Sequence, residues 1–268
     1  RGGGRGRDGR RRDRIGAPVY QPTHRAAVVD RARLAERGFI LPEDRPGRLA
    51  EEFRVVKRQL LLAAAGRDGG PIENGRLILV CSASPDEGKT FCSVNLALSM
   101  AREPELDVVL IDGDFSKPEV VSTFGLDDGP GLMDALADHA LDVESCLIAT
   151  DIPRLSVLPA GTRCDDATEL IASNRTRDVF ARLLDRSPAR IVIFDSPPAL
   201  SASPASVLAL HAGQTVMVVK ADQTSEAELR EAIAMLDGCQ RIQLLLNAAS
   251  FAPGGRRFGS YYGYGDAS

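Results

Sequence analysis

The stretch Leu77–Leu98, LILVCSASPDEGKTFCSVNLAL, leaves its chain few folds to choose from. A short apolar run leads directly into Ala83-Ser84-Pro85-Asp86-Glu87-Gly88-Lys89-Thr90, and an amphipathic helical pattern begins at once. Strand, tight loop and helix in that order make the P-loop arrangement, with Ala83 where the pattern has its first Gly. The order has a physical reason. Backbone N–H groups of the loop and of the helix N-terminus converge on phosphate oxygens, and the helix dipole favours the anion. Gly88 lets backbone approach closely, Lys89 can reach the outer phosphates, and the Thr90 hydroxyl suits Mg²⁺. The bland alternative, a chance GKT at a βα turn, does not explain why both flanking elements fit.

The rest of the chain repeats the alternation. Apolar runs at Leu77–Cys81, Val108–Asp112, Leu155–Pro159, Ile191–Asp195, Thr215–Val219 and Ile242–Leu246 read as buried strands. Helical patterns lie at Thr90–Arg102, Thr168–Asp185 and Ser225–Asp237, and earlier at Leu49–Ala65, ended by Gly66. This predicts an α/β fold: a mostly parallel sheet with helices on both faces. The expected organisation is a basic, largely disordered arm over 1–47 with one short helix near Ala26–Arg37, a body over 48–250, and a flexible tail over 251–268.

Other classes recede. Five scattered cysteines with no CxxC pair point to reduced thiols and a cytoplasmic protein. His24, His139 and His211 are isolated, which argues against zinc. The net charge is −4, yet Arg1–Arg14 alone holds seven Arg against two Asp. The remainder is strongly acidic, a poor match for nucleic acid. The Arg-rich arm reads as a solvated segment or, more sharply, as an electrostatic contact with an anionic partner. No apolar run reaches the roughly 18–20 residues that span a bilayer.

Three further motifs carry chemistry. VVLIDGDFSKP places Asp112 and Asp114 at the carboxyl end of a strand, the rim where α/β sheets bind ligands. IVIFDSPPAL ends a strand at Asp195 in the manner of Walker B, whose carboxylate serves the Mg²⁺ shell. LLLNAAS ends another at Asn247, an amide suited to a base edge or a turn. The chain closes on GSYYGYGDAS, with Tyr261, Tyr262 and Tyr264 between glycines.

Together SPDEGKT, LIDGDFSKP, FDSPP and the tyrosine tail resemble the bacterial tyrosine kinases. Glu51-x-x-Arg54-x-x-Lys57 is similar to that family's E-x-x-R-x-x-R helix, which joins subunits into a ring. EEFRVVKRQLL, LPAG at Leu158–Gly161 and ATELIAS at Ala167–Ser173 look closest to the stand-alone kinases of exosortase-type polysaccharide loci, which lack a fused membrane half. Two positions depart from the family pattern. Ser116, followed by Lys117, stands where D-x-D-x-R has Arg, and Lys57 replaces an Arg.

The resemblance implies a MinD/ParA-like P-loop fold and an ATP-dependent protein-tyrosine kinase that modifies its own tail. It assigns nucleotide binding to Ser84 through Phe91 and Asn247. Mg²⁺ falls to Thr90, Asp112 and Asp195, charge neutralisation to Lys89, and orientation of the acceptor to Asp114. Ten residues, Phe251–Ser260, tether Tyr261 to the body. They span about 35 Å when extended, enough for a neighbour's site, so transfer in trans is expected. The implied partners are a Wzz-like membrane chain-length protein as activator and a tyrosine phosphatase. The implied location is the inner face of the membrane, reached through that activator. Two other readings stand beside this one: a MinD/ParA-like ATPase switch, and an ATP-dependent scaffold for the membrane partner. The switch proteins carry an extra Lys near the start of the loop, where this chain has Ser84-Pro85-Asp86-Glu87.

Overall fold

All six apolar runs form strands of one sheet, and two short strands join them. The computed structural model describes residues 25–43, 47–201 and 203–249. Tyr261, Tyr262, Tyr264 and Arg1–Arg14 lie outside the described residues. In chain order the elements are β1 (Arg25–Ala27), α1 (Arg31–Glu36), α2 (Arg48–Ala64), β2 (Leu77–Ser82), α3 (Lys89–Ala101) and β3 (Asp107–Asp112). Then come α4 (Val120–Thr123), α5 (Leu132–Ala137), β4 (Ile148–Thr150), β5 (Leu155–Leu158), α6 (Ala167–Ile171) and α7 (Asn174–Asp185). The last are β6 (Arg190–Asp195), α8 (Pro204–Ala209), β7 (Gln214–Lys220), α9 (Glu226–Met235) and β8 (Ile242–Asn247).

The strand order is β1-β4-β5-β3-β6-β2-β7-β8. Among the described residues only the β4–β5 pairing is antiparallel. Parallel neighbours need crossovers, and the helices supply them. Along β2 side chains alternate between faces. Leu77, Leu79 and Cys81 enter one core, while Ile78 and Val80 enter the other. From β2 the chain leaves toward β3 on the β6 side and later returns to β7 on the other side. The carboxyl end of β2 is therefore a switch point, where such sheets open a crevice for ligands.

Three expectations change. Ala26–Arg37 is not one helix. Its first residues extend β1, and Asp30 then caps α1 by accepting from the Arg33 N–H at 3.0 Å. Nor does the packed body begin at residue 48. Val29, Leu34, Phe39 and Ile40 are buried in the core, and the Ile40 N–H donates to Asn95 Oδ1 of α3 at 2.8 Å. Charged residues separate the apolar ones there, yet four apolar side chains suffice once α3 offers a partner. Thr168–Asp185 is two helices, because Ser173 adopts the extended N-cap conformation and starts α7 afresh.

Candidate active site

Register builds the site before any side chain is considered. β3 and β6 pair so that Asp112 faces Asp195. β6 also lies beside β2, whose end becomes the P-loop. The loop turns through left-handed backbone at Asp86 (φ 60°) and Gly88 (φ 93°), and α3 starts at Lys89. Only glycine takes such a conformation freely, and a methyl group on Gly88 would also collide with the Asn247 amide.

A cavity of about 480 Å³ opens over the loop. Pro85, Gly88, Lys89, Thr90 and Phe91 line one side, and Asp114, Ser116 and Lys117 line the other. Lys89 Nζ lies 3.3 Å from Asp114 Oδ2, with both side chains largely buried. Asp114 Oδ1 accepts from Ser116 Oγ at 2.9 Å and from the Lys117 N–H at 3.1 Å. A carboxylate offers roughly four acceptor sites, so one remains free.

Asp112 and Asp195 sit deeper and are both buried. Asp112 Oδ2 accepts from the Val120 N–H at 2.8 Å. Among the described residues its Oδ1 and both oxygens of Asp195 have no hydrogen-bond partner. Burial pushes the Asp112 carboxyl up to about 8, and the Asp195 charge beside it pushes the same way. Burial also lifts Asp195, to about 6, against the pull of Thr90, Lys89 and Ser93. Buried, unpaired, like-charged oxygens are costly unless something positive meets them. They fit a hard divalent cation. Among the described residues no three His, Cys, Asp or Glu side chains cluster as a metal site.

Several expected residues are placed differently. Glu87 does not face the cavity: it is buried, its Oε2 accepts from the Ser84 N–H at 2.8 Å, and its Oε1 takes the Thr224 hydroxyl. The carboxylate braces the loop from inside because its short reach closes a local turn. Asn247 donates from Nδ2 to the Glu87 carbonyl at 2.9 Å, so its amide holds the loop rather than reaching for a base. Lys57 does not project for a neighbouring subunit. Its long stem buries along α3, and Nζ meets Glu103 Oε1 at 2.6 Å and the Ser99 carbonyl at 3.1 Å. Glu51 and Arg54 pair with each other on the exposed side of α2.

Arg37, Phe39, Glu119 and Ser201 of the cavity wall escaped sequence reasoning. Arg37 and Phe39 line it from the segment assigned to the arm. Phe39 packs its ring 5.1 Å from that of Phe91, and Arg37 lies over Phe39 while donating to Thr123 Oγ1 at 2.9 Å. The available signal was the apolar triplet Phe39-Ile40-Leu41 after Gly38.

The AAA domain family model matches residues 76–247, from the start of β2 to the end of β8. The chain belongs to the bacterial tyrosine kinase family of P-loop AAA domains. It is 30% identical over 188 residues to the putative tyrosine-protein kinase EpsB of Ralstonia solanacearum, covering 69% of this chain and 24% of that protein. It is 27% identical over 191 residues to the tyrosine-protein kinase YwqD of Bacillus subtilis, covering 71% and 76%. The chain thus spans about a quarter of the length of EpsB. Among solved structures, the VpsO kinase domain superposes with a TM-score of 0.62 at 27% identity, covering 73% of this chain and 93% of that one. MinD from Aquifex aeolicus superposes at 0.52 with 17% identity over 63% and 68%, which shows the shared MinD/ParA-like fold. No helix among the described residues is long and apolar enough to cross a membrane.

Proposed function

We propose that this protein is an ATP-dependent protein-tyrosine autokinase that phosphorylates its own C-terminal cluster, Tyr261, Tyr262 and Tyr264, in trans. The observation that carries the reading is the union of Lys89 and Asp114 with the unpaired oxygens of Asp112 and Asp195, at the ends of β3 and β6 beside the P-loop. A mere phosphate-binding loop needs no such acidic set. Thr90, Asp112 and Asp195 would hold Mg²⁺, which neutralises phosphate charge when bound. Lys89 neutralises charge that builds on the transferring phosphoryl group. The free acceptor site of Asp114 orients the tyrosine hydroxyl, whose ordinary pKa near 10 calls for a nearby acceptor.

The motifs Leu158–Gly161 and Ala167–Ser173 support placement with the stand-alone kinases of exosortase-type loci, and hence a role in exopolysaccharide or capsule synthesis and export. The same reading gives a cytoplasmic kinase drawn to the inner face of the membrane by a Wzz-like activator and reset by a tyrosine phosphatase. Ring assembly then rests on the exposed Glu51 and Arg54, with Lys57 occupied inside its own subunit. The experiment is incubation with Mg²⁺–ATP and the candidate activator, followed by mass spectrometry of the C-terminal peptide. Wild type should gain phosphate on the tail and Lys89→Met should not; an unmodified wild-type tail would sink the autokinase reading.

A further inference from the structure

A phosphate-binding loop has two sides, and in this protein the side away from the cavity is held from the ends of two neighbouring strands. Lys220, the last residue of β7, donates from Nζ to the Asp86 carbonyl at 3.1 Å. Asn247, the last residue of β8, donates from Nδ2 to the Glu87 carbonyl at 2.9 Å. The two are direct partners in the β7–β8 register, and the Ala221 N–H closes the pair by donating to the Asn247 carbonyl at 2.9 Å. Two successive P-loop carbonyls are thus gripped from adjacent strand ends.

The geometry of the peptide bond gives this grip a consequence. In a planar trans peptide the carbonyl and the following N–H point in opposite directions. Holding the Asp86 and Glu87 carbonyls outward turns the N–H groups of Glu87 and Gly88 the other way, into the phosphate cradle. Gly88 has no side chain to resist a flip of its peptide, so the restraint has to come from outside the loop. The Lys220 backbone adds a third link: its N–H donates to Thr224 Oγ1 at 2.9 Å, and that hydroxyl reaches the Glu87 carboxylate.

We propose that Lys220 and Asn247 form a carbonyl clamp that presets the two phosphate-binding peptides of the P-loop. Both are positioning residues that act through Asp86 and Glu87. The inference rests on the nucleotide-binding reading above and adds to it a dependence on the β7–β8 edge of the sheet.

The test is equilibrium binding of ATP, ADP and AMP to the whole chain, followed by fluorescence, with thermal unfolding of each variant recorded without nucleotide. Lys220→Met should weaken ATP and ADP about tenfold, the worth of one charge-assisted hydrogen bond. AMP, which brings no β-phosphate to the loop, should bind as before. Lys220→Arg keeps a donor and should recover most of the loss. Asn247→Ala removes the second grip independently and should show the same dependence on phosphate count. Unchanged ATP and ADP binding in both Lys220→Met and Asn247→Ala overturns the clamp. So does an equal loss for all three nucleotides, which marks a general defect. Wild-type protein that binds none of the three overturns the phosphate-site reading itself, and the clamp with it.

Discussion

The two ends of one strand pair treat buried charge in opposite ways. At the amino end of β3 and β6, Asp107 faces Arg190 in register. Arg190 is 1% exposed, yet its Nε meets Asp107 Oδ2 at 2.7 Å, its Nη1 meets Glu144, and it donates to the Leu183 carbonyl at 3.2 Å. Five residues further along, the same register sets Asp112 against Asp195, two acids with three oxygens unpartnered. The first end finds its opposite charges within the chain, with Arg190 between Asp107 and Glu144 and Arg186 Nε 4.0 Å from the other Glu144 oxygen. The second is complete only when something positive arrives. The fold sets a buried guanidinium between two carboxylates at one end and sets two carboxylates against each other at the other end. Leaving them bare is the mark of a binding site.

The largest effect that tests this contrast belongs to the satisfied end. Arg190→Met should cost about 3–5 kcal/mol, because it strands Asp107 and Glu144 without their cation. Urea denaturation reads it directly, and a loss under about 1 kcal/mol would mean the pair is not a structural charge lock. Lys89→Met strands Asp114 in the same way and should also cost stability, but its distinguishing effect should be on tail phosphorylation, lowered about 10²- to 10³-fold, roughly 3–4 kcal/mol of transition-state stabilisation. Measured together, the two variants should separate a charge that serves the fold from one that serves the reaction.

The bare end makes a pH prediction of definite sign. Burial raises the folded-state pKa of both acids, so the folded protein holds protons that the unfolded chain releases. The stability tied to these protons is full below about pH 4. It is lost as pH climbs through about 6 for Asp195 and about 8 for Asp112. Asp112→Asn removes one charge that must be buried. Without Mg²⁺ its melting temperature should exceed that of wild type, by a margin that grows between about pH 5 and pH 8. Mg²⁺ with nucleotide should erase the margin by stabilising wild type alone. A margin independent of pH would show that the acids are already paired.

How far the sequence revealed this architecture depends on the distance between the residues involved. The P-loop is a contiguous stretch, and its spacing alone carries its chemistry from Ala83 to Thr90. Asp112 and Asp195 were legible because each ends an apolar run, and strand ends share one rim in a parallel sheet. Their register partnership was not legible, since it depends on two strands 83 residues apart at their paired starts. Lys220 escaped notice for the same reason: its contact at Asp86 joins residues 134 apart, and nothing near Lys220 resembles a loop-binding motif. β1 and β4 are three residues each, too short for a periodic signal, and β1 exists because β4 offers it an edge. Glu87 looked like a cavity residue because its neighbours are. Its inward turn follows from the left-handed backbone at Asp86, which aims the next side chain back at the Ser84 N–H.

The smallest effect tests the same distinction on a helix. In α2, Lys57 is buried against Glu103 and the Ser99 carbonyl, whereas Arg54 bridges Glu51 in solvent. Arg54→Ala should therefore change stability by no more than about 0.5 kcal/mol, the usual worth of an exposed pair. Lys57→Ala should cost more, because it removes both the buried stem packed along α3 and the ammonium that satisfies Ser99. Self-association sharpens the contrast. If Glu51 and Arg54 face a neighbouring subunit, Arg54→Ala should lower the sedimenting mass while its urea midpoint stays put. Lys57→Ala should shift the midpoint first and the mass only as a consequence. If instead Arg54→Ala sediments as wild type, the exposed side of α2 is not where subunits meet. The Glu51–Arg54 pair is then a local i,i+3 contact that supports its own helix and nothing beyond it.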